Sequence, residues 1–164
     1  MRRLMICVMK NKAMRGLSAA VCVAISLGLV ACMEEPKDTH PDQVLTKRRA
    51  LFKQFTRTLE PIGLVAGGRR EYKADEFLTM AQDLEKLSSK PWVYFTADGN
   101  YPPTRSRPEV WSQADAFKQA QQHYQSSVKA LVVAAQSGQL AAVQKAVDDV
   151  TASCKACHKD FRFE

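Results

Sequence analysis

The sequence contains no strand-like alternation of apolar and polar residues, so a sheet has nothing to be built from. It has no acidic residue before Glu34, and this hides the charge balance of the remainder. The formal net charge is +7, yet five of the 24 basic residues precede Cys32 and all 17 acidic residues follow it. Beyond Cys32 the chain is nearly neutral, with an ordinary mixed-charge surface, and a nucleic-acid partner has little electrostatic support. The main apolar run, Leu17 to Ala31, is short for a stable membrane span. Histidine is scarce: His40, His123 and His158 are the only three, which denies a zinc site a second ligand pair. The 164 residues suffice for one domain with a single core.

Residues 1–31 read as a targeting segment, in which a basic stretch precedes the apolar run. The run ends Leu29-Val30-Ala31-Cys32, which resembles a bacterial lipobox. Cys32 would then carry lipid and become the mature amino terminus, with an ordinary secretory signal as the alternative. Met33 in place of an aspartate favours the outer membrane, so the expected location is the periplasm, anchored through Cys32. Cys7 and Cys22 would leave with the signal. Residues 32–40 are polar and read as a flexible tether. The folded domain is expected over 41–164.

Four helices are expected there. Asp38 or Thr39 could cap the first, with Pro41 in its first turn. Val44, Leu45, Leu51, Phe52, Phe55, Leu59 and Ile62 recur at helical spacing, and Pro61, Gly63, Gly67 and Gly68 are expected to end it. A second helix fits about Lys73 to Leu87, with Phe77, Met80, Ala81, Leu84 and Leu87 inward. Lys90 to Pro108, rich in proline and aromatics, reads as a long packed crossover. The third helix runs from Pro108 or Ser112 to Ser137, with Trp111, Phe117, Ala120, Tyr124, Val128, Leu131 and Ala135 on its core face. Gly138 supplies a stop. The fourth covers about Gln139 to Phe161. The fold class is all-α, an antiparallel four-helix bundle.

The chemistry is concentrated near the carboxyl end. Cys154-Lys155-Ala156-Cys157-His158 reads C-x-x-C-H, the attachment pattern of c-type haem. Two thiols at that spacing lie on one side of a helical turn, and each can add to a vinyl group of one porphyrin. His158 then falls beneath the ring and can give an imidazole nitrogen to iron. A disulfide or redox C-x-x-C is the alternative, although a thioredoxin-like site lacks its strand–helix context here. With haem c on Cys154 and Cys157 and lipid on Cys32, no cysteine remains for a structural disulfide.

Most c-type cytochromes carry this motif near the amino end. Here it lies at the end of the last helix, and the tail Cys154-Lys-Ala-Cys-His-Lys-Asp-Phe-Arg162 resembles the class II c-type cytochromes, the cytochrome c′ family. That family is itself a standard example of the four-helix bundle. Val44-Leu45-x-x-Arg48-x-Ala50, Pro91-Trp92 and Pro108-Glu-Val-Trp111 support the resemblance, which covers 41–163. It implies one covalent haem with His158 as axial ligand, and Arg48 and Arg49 near the propionates. Arg49 departs from the family's usual glutamine, and a solvated charge cluster is the alternative for both. Arg162 would lie close to the proximal imidazole. In that family the residue four places after the first-helix arginine faces the open side of the iron, so the resemblance implies Phe52 for that place here. A five-coordinate centre follows, crowded by a ring.

Slipping the register by one place would offer Lys53 and a six-coordinate low-spin electron carrier. The resemblance implies electron transfer with redox partner proteins and binding of nitric oxide or carbon monoxide. No enzymatic role is expected, since the first-helix distal surface offers no histidine, glutamate or aspartate as general acid–base. A homodimer is also implied, for which Leu64 and Val65 are expected as exposed apolar residues.

Overall fold

The computed structural model of the protein describes residues 37–164. The expected signal segment, Cys32 and most of the tether lie outside the described residues. Within them the chain forms α1 (Val44–Ala66), α2 (Ala74–Ser88), a 3₁₀ turn (Pro91–Tyr94), the one-turn α3 (Glu109–Ser112), α4 (Ala114–Gln136) and α5 (Leu140–Phe161). The four long helices close a ring: α1 packs on α2, α2 on α4, α4 on α5 and α5 back on α1. This is the expected antiparallel bundle. Phe77, Ile62, Leu84, Leu131, Val128 and Val143 are fully buried at its centre, each worth about 1.5–3 kcal/mol relative to exposure.

Three expectations about α1 are corrected. Pro61 does not end the helix, which continues to Ala66. An interior proline costs about 3 kcal/mol. Continuing buries Ile62 and Val65 at 0% and 2% exposure, and two such side chains outweigh the break. The stop comes at Gly68, φ 68°. The Gly68 N–H donates to Val65 O and the Arg69 N–H to Leu64 O, at 3.0 and 2.9 Å, the pairing of a Schellman motif. Val65 is therefore a core residue and Leu64 is half-buried, so the exposed apolar pair expected for a dimer is not present.

At the other end, α1 begins at Val44 rather than near Pro41, because Gln43 adopts φ 50° and breaks the helical path. Asp38 caps from outside: its Oδ2 accepts the Thr46 N–H at 2.7 Å. Its Oδ1 accepts the Tyr101 hydroxyl at 2.7 Å, and that hydroxyl accepts the Leu45 N–H at 3.4 Å. His40 stacks on Tyr101 and lies 3.0 Å from Asp98. The last residues expected as tether are thus tied to the crossover.

The expected third helix is two pieces. Gln113, at φ −122° and ψ 50°, separates α3 from α4. The break lets Val110 bury and Trp111 donate its indole N–H to Thr96 O at 2.7 Å, while Phe117 turns inward on α4. The crossover also pins the end of α5. The Arg107 N–H donates to Phe161 O, the Phe163 N–H to Arg105 O, and Arg107 Nη1 to Lys159 O. Gly138, φ 68°, ends α4 as expected.

Candidate functional site

The last turns of α5 carry the C-x-x-C-H residues. Val143, Val150 and Ser153 are buried along the inner face of that helix, and Cys154 and Cys157 continue it, each half-buried and unpaired. Cys154 packs against the main core, and Cys157 against the smaller cluster of Val110, Phe117 and Phe161. Cys157 also lines an open groove of about 490 Å³ between α4 and α5. Burial raises the pKa of Cys154. Burial, then Cys154, then Asp160 push Cys157 up to about 11. Both are therefore protonated thiols at neutral pH. A redox C-x-x-C needs a depressed thiol pKa, so this geometry disfavours that alternative.

His158 follows on the outer side and is exposed. Partial desolvation of the ring, then Arg162 and Arg105, hold its pKa below the ordinary value. The neutral imidazole that this favours is the form that ligates a metal. Arg162 Nη1 stands 3.4 Å from His158 Nδ1. Arg162 is held there by its backbone, whose N–H donates to His158 O and which bridges to Ser106.

An aromatic cluster adjoins the thiols. Phe52 on α1 meets Phe55, Trp92 and Phe95 edge-on, with centroids 5.3, 6.0 and 6.3 Å away. Phe95 packs on Phe117, and Phe117 on Phe161. Tyr124 lies between Phe55 and Trp92. The crossover side of the cluster is fixed by Trp92, whose indole N–H donates to Ser88 O at 2.8 Å.

Arg48 is buried, at 3% exposure. Its guanidinium donates to Thr104 Oγ1 at 3.0 Å and, more distantly, to Gly99 O and Tyr94 O. It lies 4.4 Å from the centroid of Phe95. Desolvation lowers its pKa. Arg49 Nη2 donates to Pro103 O at 2.6 Å. Both arginines therefore hold the crossover beside the aromatic cluster, which is not the solvated charge cluster kept as an alternative. Lys53 is exposed, whereas Phe52 faces the rings. His123 is exposed on α4, as expected of a surface histidine.

Sequence reasoning assigned no site role to Tyr124, Tyr101, Arg105 or Arg107. For Tyr124 a signal existed, since it is the one phenol at a helical core position of α4. The others make contacts over separations that no local pattern reports.

These residues fit a c-type haem. Two unpaired thiols sit at attachment spacing, a neutral-biased imidazole follows, and aromatic faces surround them. The Tyr124 hydroxyl is buried among those faces without a hydrogen-bond partner, as expected where a further group belongs.

Residues 43–162 match the family model described as Cytochrome C′. A cytochrome c′ of Alcaligenes xylosoxydans is 40% identical over 101 residues, 60% of this chain and 76% of the relative. That of Halomonas halodenitrificans is 28% identical over 130 residues, covering 76% and 98% of the two chains. The nitric oxide complex of a leucine-to-alanine variant of cytochrome c prime from Alcaligenes xylosoxidans is similar in structure. Its TM-score is 0.72 at 31% identity, covering 78% of this chain and 99% of that one.

Proposed function

The chain belongs to the cytochrome c′ family, and from that premise we propose that it binds nitric oxide or carbon monoxide, or passes single electrons, at five-coordinate haem iron held by His158. One covalent c-type haem is the family's cofactor, so the protein is a haem-binding c-type cytochrome. The observation that carries the assignment of residues is the C-x-x-C-H sequence on the last turns of α5, with Cys154 and Cys157 half-buried, unpaired and packed against the two core clusters.

In this proposal Cys154 and Cys157 form the thioethers and His158 is the axial ligand. The haem supplies the iron and its one-electron chemistry. The chain supplies the surroundings. Phe52, braced by Phe55, Trp92 and Phe95, excludes water and offers no atom to coordinate metal. Arg162, beside Nδ1 of His158, opposes imidazolate character and so adjusts the potential. Arg48 and Arg49 keep the crossover in place and bring cationic character to the haem edge. The first-helix surface around Phe52 presents no histidine, aspartate or glutamate for general acid–base work, which supports a carrier or gas-binding role rather than an enzyme. A relative with a bound nitric oxide supports the gas. Exposure of Lys53 weighs against the six-coordinate form with that ligand.

Residues 1–31 as an export signal, Cys32 as a lipid anchor and the outer membrane facing the periplasm complete the proposal, on the lipobox-like sequence. Redox partner proteins and a homodimer belong to it by family likeness alone. The test is the absorption spectrum of the reduced protein with and without nitric oxide. A high-spin ferrous spectrum that changes on adding the gas is expected. A low-spin six-coordinate spectrum indifferent to it would overturn the proposal.

A further inference from the structure

Among the described residues, two buried tyrosine hydroxyls lack hydrogen-bond partners, those of Tyr72 and Tyr124. They differ in surroundings. Tyr72 packs on Phe77 at the start of α2, far along the bundle from the cysteines. Tyr124 is 4% exposed and sits in the aromatic cluster, 5.6 Å from Phe55 and 6.3 Å from Trp92 between ring centroids. Burial raises its pKa, so the phenol stays protonated and is a donor. Its hydroxyl makes no bond even to the Cys154 sulfur. Leaving such a donor unmade costs about 1–3 kcal/mol, whereas a phenylalanine would fill the same space without that cost.

Resting on the haem assignment above, we propose that Tyr124 is the hydrogen-bond donor of the gas pocket, giving its O–H to the outer atom of a diatomic held there. Phe52 then governs entry from α1, and Tyr124 on α4 governs retention. The pocket is selective for ligands that carry partial negative charge on the outer atom, because a donor rewards those and an all-hydrocarbon wall does not. The role is binding specificity; no proton leaves Tyr124.

The experiment uses the haem-loaded protein and its Tyr124→Phe variant, with carbon monoxide as the probe. A covalent haem stain first establishes that both carry the cofactor. In the wild type, the C–O stretch of the ferrous carbonyl is expected to move when H₂O is replaced by D₂O. In Tyr124→Phe the stretch is expected at higher frequency and without that solvent shift. Carbon monoxide should leave the variant about two- to tenfold faster, the size of one ordinary hydrogen bond. A haem-loaded pair with identical stretches, and no solvent shift in the wild type, would overturn the role of Tyr124 and leave the haem assignment standing. Failure of the wild type to carry covalent haem would overturn both. Since the solvent shift is read on the wild type, the outcome does not depend on how well the variant folds.

Discussion

At the end of the bundle closed by Gly68 and Gly138, the core is largely aliphatic: Ile62, Val65, Leu131, Ala135 and Val143 pack around Phe77. At the opposite end, Phe52, Phe55, Trp92, Phe95, Phe117, Tyr124 and Phe161 meet ring to ring, and two thiols and a buried arginine join them. One chain thus spends two kinds of material on one architecture. The aliphatic end is closed by its own two turns and satisfies its backbone locally. The aromatic end relies on the crossover, which is tied to α1 through Arg48, Arg49 and Tyr101, to α5 through Arg107 and to Phe163 just beyond it through Arg105. Flat, rigid side chains with scattered polar groups suit a planar cofactor, and branched aliphatics suit a filled interior. The difference teaches that one continuous core can change its packing material along the bundle axis, aliphatic where it only fills and aromatic where the thiols lie.

Replacing both Cys154 and Cys157 by serine should sharpen this most, by removing covalent haem altogether. A denaturing gel stained for haem checks it, and a helical circular dichroism spectrum would show whether the aliphatic end folds without the cofactor. Leu131→Ala, at the opposite end, should cost about 2–5 kcal/mol in urea unfolding while leaving the visible spectrum of the native protein unchanged. A spectral change of the Cys-to-Ser kind there would break the comparison. Phe52→Ala should speed carbon monoxide association about tenfold, equivalent to about 1.4 kcal/mol off the barrier, as read by stopped flow. Its effect on unfolding should be smaller than that of Leu131→Ala, because Phe52 is only half-buried.

The smallest effect concerns the cap at the aromatic end. Asp38→Asn should cost about 0.5–2 kcal/mol. Burial would raise the Asp38 pKa, but hydrogen bonds from Tyr101 and from the Thr46 and His40 N–H groups outweigh it and hold the carboxyl well below the usual range. The folded form therefore keeps the carboxylate charged more strongly than the unfolded chain does. Its contribution is full above the unfolded value of about 3.9 and is lost as pH falls through the depressed folded value. The difference in stability between wild type and Asp38→Asn should accordingly shrink on acidification from pH 6 toward strong acid, as measured by urea unfolding across pH.

Helix faces were legible because Phe77, Ala81, Leu84 and Leu87 on α2, and Tyr124, Val128, Leu131 and Ala135 on α4, recur every three or four residues, and periodicity is a local property. The extent of α1 was not, because proline propensity is also local while the reward for passing Pro61 comes from Ile62 and Val65 meeting other helices. Asp38 was legible as a candidate cap because capping is local, but its bond from Tyr101, 63 residues away, was not.

By itself the sequence determined the all-α class, the core stripes and the thiol–imidazole constellation, since spacing along one helix fixes which residues share a side of it. The tertiary structure alone decided that Arg48 braces the crossover, that Val65 is core, and that the Tyr124 hydroxyl is enclosed without a partner. Each of those depends on which distant segments arrive at the same place, and that arrival is set by the joint packing of all four helices.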